Sequence, residues 1–464
     1  MDYDVLILGG GIIGCAAAYE LSKYSLNIAL IEKEYDIADD VSLVNAAIVY
    51  DGIETKDDAM ANLELIGNRM FDDLSKKFNI PFKRNGSLLL IQNDDGSEIT
   101  SIYKRAKKRG IENIKLIDGE EAKKIEPALN IDVKYALYSH NIGVVCPYDL
   151  ALSYGEVAYD NGVNFKLEEE VLAIKKFRSG FQVNTSKNKF TCRLVINTTP
   201  VNTYFSDFPE EDKVLENRIN LQYFIMDKEL KPNFKNTLFI LNDKRERIYA
   251  VPNPYGDTIL ALSTKNIMST AKAKDRINSA AKILDEDFIN THYRLPFFNE
   301  GMVIDDRYIN EGYLRVAGKH YGQVTITPAL ADNICKSIVS ILKCKPKKEF
   351  FDKRREYYKF RAMSNSERNN LIKLDKKYGN IVCVCQKVTE GEIVDSIRRP
   401  LGARTIEGIK RRTGVLSGSC KGSLCYNKVA EILARETDKD LREILIDSSG
   451  SNIFKGRIKE FDSI

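Results

Sequence analysis

Two groups of residues in this chain have types and spacings that can do chemistry. Near the C-terminus, Cys383-Val384-Cys385 is followed after 34 residues by Cys420-Lys421-Gly422-Ser423-Leu424-Cys425. Near the N-terminus, Gly9-x-Gly11-x-x-Gly14 separates a short apolar run from a helical pattern. The thiols point to a metal centre and the glycines to a phosphate cradle.

Four thiolates can hold two irons, two per iron. The tight spacing of Cys383 and Cys385 is strained for two ligands on one zinc, where the cysteines usually stand further apart. An iron–sulfur centre is therefore favoured, with zinc or free thiols as the alternatives. Gly418 and Gly422 allow turns that aim N–H groups at cluster sulfurs. The other five cysteines, Cys15, Cys146, Cys192, Cys335 and Cys344, are scattered and read as small buried hydrophobes.

In the N-terminal motif, Gly9 permits the tight turn, Gly11 lets backbone approach a pyrophosphate, and Gly14 lets helix and strand pack closely. Ile12 and Ile13 open a helix whose free N–H groups would face the phosphates. Glu32, followed by Lys33, closes the next strand 18 residues after Gly14. An acid there accepts hydrogen bonds from ribose hydroxyls. Strand, loop, helix, strand and acid in order make a dinucleotide site, without deciding between NAD and FAD.

These sites need elements to carry them. The chain has 464 residues, 43% hydrophobic and 29% charged, enough for two to four domains. A net charge of +4 with no basic stripe argues against nucleic acid. No apolar run reaches the length that spans a bilayer, and the glycine-broken start is not a signal peptide. The expected location is the cytoplasm, where nine cysteines are not a disulfide framework.

Asp4–Leu8 and Asn27–Ile31 read as buried parallel strands flanking a helix from Cys15 to Lys23. Residues 56–78, 101–128, 148–161, 271–289 and 328–342 read as helices. Residues 86–91, 164–167, 170–174, 193–197 and 312–318 read as strands, and 216–265 as antiparallel strands. The basic stretch Lys345 to Arg361 reads as a solvated helix or linker.

The chain leaves the dinucleotide fold after Glu32 and returns only near residue 148, then again at Val316-Ala317-Gly318. That interrupted layout resembles the D-amino-acid-oxidase-like flavoproteins, and within them the subgroup of anaerobic glycerol-3-phosphate dehydrogenase and L-2-hydroxyglutarate oxidase. The segment Gly318-Lys319-His320-Tyr321-Gly322-Gln323-Val324-Thr325 parallels the family's late loop beneath the flavin. Cys383 to Cys425, with Val388-Thr389-Glu390-Gly391-Glu392-Ile393 and Gly408-Ile409-Lys410-Arg411-Arg412-Thr413, resembles the bacterioferritin-associated-ferredoxin-like domain.

The resemblance implies an α/β fold: a Rossmann-like FAD domain interleaved with an α+β substrate domain built on a mixed antiparallel sheet, plus a small helical iron–sulfur domain. The flavoprotein part would span 1–345, with FAD-binding pieces near 1–80, 141–215 and 305–345 and substrate-domain pieces near 81–140 and 216–304. A basic helical linker (346–378), a [2Fe–2S] domain (379–435) and an appendage (436–464) would follow. FAD would meet Ser42 and Asn45 in an early loop, Val171 at the adenine, and Thr198 and Thr199 at a strand end. Gly318, Gly322 and the N–H groups of Val324 and Thr325 would serve its pyrimidine end, where charge develops on reduction. Cys383, Cys385, Cys420 and Cys425 would hold the [2Fe–2S] cluster.

Several positions depart from the family. Tyr50 stands where hydroxyacid-oxidising relatives carry a catalytic histidine, and Val303 stands where they carry an anion-clamping arginine. Pro200 replaces the strand-end glycine. A tyrosine is a poor base at neutral pH. His320 is the replacement base that the sequence offers, with Lys319 or Arg218 as anion partner and Tyr50 and Tyr223 as hydrogen-bonding groups. His140 and His292 are weaker candidates.

The resulting expectation is an FAD-dependent dehydrogenase of a small substrate, of glycerol 3-phosphate or 2-hydroxyacid type. Electrons would leave through the cluster to a partner subunit or carrier. A catalytically altered relay subunit and an amine or amino-acid dehydrogenase are the alternatives.

Overall fold

A computed structural model describes residues 1–39, 48–199, 217–226, 234–281, 289–299 and 302–454. Ser42 and Asn45, Pro200, and the side chain of Arg218 lie outside what is described.

Tyr3–Leu8 is the centre of the first sheet. Val5 to Leu8 are buried on both faces, which is why the strand reads as an unbroken apolar run. It pairs in parallel with Ile28–Ile31 on one side and Lys189–Asn197 on the other. Beyond these lie Asn164–Lys166 and the antiparallel strands Gly180–Thr185 and Val171–Phe177. Tyr313–Ala317 joins late, parallel to Lys189–Asn197, and carries Val303–Asp305. The helices Ile12–Ser22, Pro147–Asp160 and Gln323–Leu342 pack against this sheet in one apolar core.

The second sheet is mixed and has eight strands. Its order is Ile289–Asn299, Asn217–Met226, Thr258–Thr264, Arg247–Pro252, Thr237–Leu241, Ser87–Ile91, Tyr135–Ser139, Ile114–Asp118. Thr237–Leu241 and Ser87–Ile91 are parallel; the other pairings are antiparallel. The long helix Asp58–Phe78 crosses between the two halves. It opens on Asp57, which caps the Met60 N–H at 2.8 Å, and closes on Asn79 in the left-handed conformation.

The structure corrects four sequence expectations. Residues 101–128 are not one helix: Ile114–Asp118 is an edge strand between Ser97–Lys108 and Gly119–Ile125. Lys115 and Asp118 stand three residues apart, a spacing that copies a helix face, and burial along the strand does not alternate. The helix expected over 271–289 is Thr270–Ala281, and Ile289 already begins a strand. The late helix begins at Gln323 rather than Pro328, which stands inside it as the sixth helical residue. The basic stretch is not helical over 346–359, and it is solvated only in part: Lys348, Lys353 and Arg355 are exposed, but the Arg354 side chain is 5% exposed and makes a buried ion pair, and the α-helix is Asn365–Leu374.

The C-terminal module packs Glu390–Arg398, Ile406–Thr413 and Tyr426–Thr437 around an apolar centre of its own. The first helix starts with a reciprocal Thr389–Glu392 capping box. Residues 437–454 pack onto this module: Ile444 is 1% exposed and the Ile406 N–H donates to the Leu445 carbonyl. No helix among the described residues is long and apolar enough to cross a membrane.

Candidate functional site

Gly9 has φ +101°, and a Cβ on Gly14 would stand 2.0 Å from the Gly9 carbonyl oxygen. Glycine is obligatory at both positions. Gly11 caps the first helix with no side chain, and no acid lies in its first turn. The N–H groups of Ile12 and Ile13 therefore have no helical carbonyl to meet and are set to receive an anion. A cleft opens from this loop to Thr198, Thr199, Gly318, Lys319 and Gln323. The buried Gln323 Oε1 has no hydrogen-bond partner among the described residues. Glu32 is fixed at the rim by the N–H groups of Gly10 (2.5 Å) and Glu34 (2.9 Å). Val171 is 5% exposed on its strand, and Lys33 is exposed. An anion cradle, an acid for ribose hydroxyls and an orphaned amide oxygen fit an extended dinucleotide.

At the far end of the cleft, Gly318 has φ +77° and the turn to Gly322 enters Gln323–Leu342 directly. Val324 and Thr325 thus occupy the first helical turn, where N–H groups lack intrahelical acceptors. The crossing helix fits closely here. A Cβ on Gly67 would stand 2.0 Å from the Thr325 carbonyl oxygen.

That close crossing inserts Glu64 against the turn. Glu64 is 1% exposed, and a Cβ on Gly322 would meet its Oε1 at 2.1 Å. Glu64 Oε2 accepts from the Thr55 hydroxyl at 2.8 Å, and Thr55 makes a short hydrogen bond to the Tyr321 hydroxyl. With Glu64 ionised, Thr55 spends its proton on the carboxylate and Tyr321 donates to Thr55. The result is a directed chain, Tyr321 to Thr55 to Glu64. Burial pushes the Glu64 carboxyl up to about 8.

His320 is 2% exposed, and its Nδ1 accepts from the Gly322 N–H at 3.0 Å. Its proton therefore sits on Nε2. Burial lowers its pKa to about 4, so the ring is neutral at pH 7. The ring lies 4.4 Å from Tyr321 and holds that phenol in place. Nδ1 is engaged by the Gly322 N–H, and Glu64 Oε1 stands 3.7 Å from it.

Tyr50 donates its N–H to Thr325 Oγ1 at 2.9 Å, and its ring meets Tyr321 at 4.9 Å. Burial raises its phenol further above the ordinary value, so it cannot act as a base. Beyond Tyr50 lies a small cavity of about 20 Å³, room for about one water, lined among others by Asp51, Glu54, Glu64 and Tyr321. Asp51 accepts from Ser139 Oγ at 2.6 Å, and burial raises it to about 6.

Arg247 reaches this region from the second sheet and pairs with Glu54. Its side chain is 35% exposed and interacts with Tyr249 and Tyr321. Val303 is a strand residue paired with Ala317 and brings no cation. Tyr223, stacked on Tyr293 at 4.9 Å, lines the same tyrosine-rich group. His140 is exposed beside Tyr138, and His292 lies by Phe224 and Gln222.

Sequence reading missed Glu64, Thr55, Glu54 and Arg247. Glu64 stands on the buried stripe of its helix and Arg247 opens a sheet strand, so charge at a core-facing position was the available signal, whereas Glu54 and Thr55 stand in a polar loop that gives none.

In the C-terminal module the four cysteines meet two by two, Cys383 with Cys425 and Cys385 with Cys420. Among the described residues no three metal-binding side chains converge on one ion. A Cβ on Gly418 would stand 2.4 Å from the Cys385 Cβ, and Gly422 has φ +86°. The N–H groups of Leu424 and Gly422 approach the Cys420 sulfur and hold its thiol below the usual range. Paired thiols with backbone donors aimed at sulfur fit a binuclear cluster.

Buried ion pairs join this module to the first sheet's helices. Arg412 forks onto Asp36 at 2.5 and 2.7 Å. Arg354 and Arg399 both bond Glu156, at 2.7 and 3.0 Å, and Lys359 bonds Asp149 at 2.8 Å. Gly155 leaves room for Ile37 and Leu401.

Residues 4–292 match the family model for FAD dependent oxidoreductases, and residues 381–435 match that for the BFD-like [2Fe-2S] binding domain. The chain is 32% identical to a glycerol 3-phosphate dehydrogenase of Caloramator mitchellensis over 98% of its own length and 99% of that protein's. It is 28% identical to a glycerol 3-phosphate oxidase of Mycoplasma pneumoniae over 40% of its length and 50% of the relative's. The FAD-bound L-alpha-glycerophosphate oxidase structure from Mycoplasma pneumoniae superposes with a TM-score of 0.65 at 19% identity, covering 77% of this chain and 99% of that one. That likeness confirms the flavoprotein fold.

Proposed function

Because this chain belongs to the FAD-dependent oxidoreductase family and carries a BFD-like [2Fe–2S] domain, we propose that it oxidises the secondary alcohol of glycerol 3-phosphate. The observation that carries this is the meeting of one cation, Arg247, with a hydrogen-bonded chain that starts at Tyr321 and ends on Glu64. The full-length likeness to a glycerol 3-phosphate dehydrogenase supports the same reading.

When bound, FAD supplies the hydride acceptor and the cluster a one-electron outlet. The chain's residues do the rest. Arg247 exchanges its bond to Glu54 for the phosphate, presenting a fork suited to oxyanions. Tyr321 receives the substrate hydroxyl proton while passing its own to Thr55, and Thr55 passes its proton to Glu64. One O–H bond is broken at the substrate and one is formed on Glu64, so the relay conserves protons. His320 and Tyr50 hold Tyr321 in place. The first-turn N–H groups of Val324 and Thr325 favour negative charge at the cofactor's edge. Ser42 and Asn45 complete the cofactor loop in this proposal. We assign the protein to a reducing, cytoplasmic compartment on its cysteine usage, since five cysteines are scattered, four are grouped for a cluster and none is disulfide-bonded.

Anaerobic mixing of the FAD-loaded protein with glycerol 3-phosphate, glycerol, 2-hydroxyglutarate and proline tests the reading. Glycerol 3-phosphate should bleach the flavin absorbance, and Arg247→Gln should raise the concentration needed by about 10–150-fold, the equivalent of a charged hydrogen bond. Bleaching by proline alone would make the protein an amino-acid dehydrogenase. Bleaching by none would leave an electron-relay subunit.

A further inference from the structure

The iron–sulfur module has one face on the flavoprotein and one face turned outward. Arg399, Arg411 and Arg412 take up the inner face through Glu156 and Asp36. The outward face carries the cysteine loops. Cys383 and Cys425 are each 1% exposed, but Cys385 is exposed and Cys420 half-buried. Two apolar residues flank them in water: Val384 is 71% exposed and Leu424 is 72% exposed. Neither contributes to the module's own core.

The charge around them is one-sided. Segments 383–387 and 414–428 contain Lys387, Lys421 and Lys428, all exposed, and not one Asp or Glu. Over the whole chain, 66 acids nearly balance 70 lysines and arginines. Ser419 and Ser423 complete the rim with small, neutral side chains that let another surface come close.

We infer that this face docks an acidic one-electron carrier protein, with Val384 and Leu424 as the apolar centre and Lys387, Lys421 and Lys428 as the cationic rim. The inference rests on the proposed function for the source of electrons. An apolar centre with a charged rim is the ordinary anatomy of a transient interface. Rim charges set the encounter rate and its salt dependence. Each docking event passes one electron, so two oxidised carriers are reduced for every substrate molecule that gives up two electrons.

The test uses the full-length protein carrying both cofactors and an acidic plant-type [2Fe–2S] ferredoxin as probe. Binding is measured by calorimetry at low and high salt, and single-turnover electron transfer by stopped flow. The double variant Lys387→Glu/Lys421→Glu should weaken ferredoxin binding by at least about tenfold and remove its salt dependence. Val384→Ser should weaken binding while keeping the salt dependence. Both variants should keep their cluster absorbance and the parent rate of flavin reduction by substrate. Ferredoxin binding that ignores salt and both variants overturns the inference. So does adhesion to phosphatidylglycerol vesicles through the same residues without ferredoxin binding, which would make the face a membrane contact. Calorimetry needs no substrate, so a wrong substrate assignment leaves flavin unreduced while binding still reports on the face.

Discussion

Replacing Arg412 with methionine should open the seam between the iron–sulfur module and the flavoprotein. Arg412 is 5% exposed and Asp36 is 2% exposed at the side chain. The Asp36 carboxylate accepts from Arg412 at 2.5 and 2.7 Å and from the Ile37 N–H at 2.8 Å. After the change it keeps the Ile37 N–H and Arg411, which stands 3.6 Å away and is shared with Asp39 and Asp447. Stranding one member of a buried pair costs about 3–5 kcal/mol, and partial rescue by Arg411 argues for the lower end. About 3 kcal/mol is roughly a hundredfold in an opening equilibrium. Hydrogen exchange should therefore rise by about two decades in the peptides around 33–39 and 399–414, and much less in the second sheet. Adding Asp36→Asn removes the stranded charge and should recover most of the protection. Unchanged exchange in the single variant, or a double variant as open as the single one, would refute the view that this pair holds the seam.

The other predictions concern the relay, the cradle and the cluster. Glu64 binds a proton in the folded protein up to about pH 8, far above the ordinary carboxyl value of 4.5. Its stabilising contribution is thus present in acid and is lost as pH rises from about 4.5 through about 8. Glu64→Gln should flatten that limb of a denaturation-versus-pH curve, and should also abolish a rise in flavin reduction rate through about pH 8. Gly14→Ala places a methyl 2.0 Å from the Gly9 carbonyl oxygen and should yield protein without flavin absorbance but with its cluster intact. Cys385→Ser should do the reverse, losing acid-labile sulfide while FAD content stays at the parent level.

How much of this was legible depended on whether chemistry and local geometry coincide. The glycine loop combines a left-handed turn, a close helix crossing and a following acid, and each leaves a mark on the sequence. The cysteine spacing is equally local. Arg247 and Glu64 leave almost none. Arg247 opens a strand whose two faces are both buried, with Ile248 and Ala250 on one side and Tyr249 and Val251 on the other, so only its charge is anomalous. Glu64 occupies a buried stripe with Ala61, Asn68 and Phe71, where helical periodicity alone would place an apolar side chain. His320 was legible as a residue of the flavin turn, but its role depends on one hydrogen bond from Gly322 that spacing does not encode. Ile114–Asp118 was hidden because its two charges stand three residues apart and its burial does not alternate, which copies the pattern of a surface helix.

The basic stretch after residue 345 gives the sharpest case of charge read without its partners. A run of lysines and arginines usually faces water, and surface pairs contribute little. Here Arg354 and Lys359 meet Glu156 and Asp149, buried acids contributed by the helix Pro147–Asp160 some 200 residues earlier. Tyr255 of the second sheet bonds the same Asp149 at 2.7 Å. One strap thus touches the cofactor fold, the substrate sheet and, through Arg399 on Glu156, the iron–sulfur module. Buried ion pairs are poor stabilisers because desolvation offsets their attraction, whereas apolar contacts of equal area would hold the pieces at lower cost. What such pairs do provide is a single register, since a displaced arginine strands its carboxylate. An electron that must cross from one module to the other needs that fixed register more than it needs a stronger seam. The strap is therefore best understood as a device that sets distance, and replacing its pairs by well-packed apolar residues should preserve stability while loosening the spacing between the two redox sites.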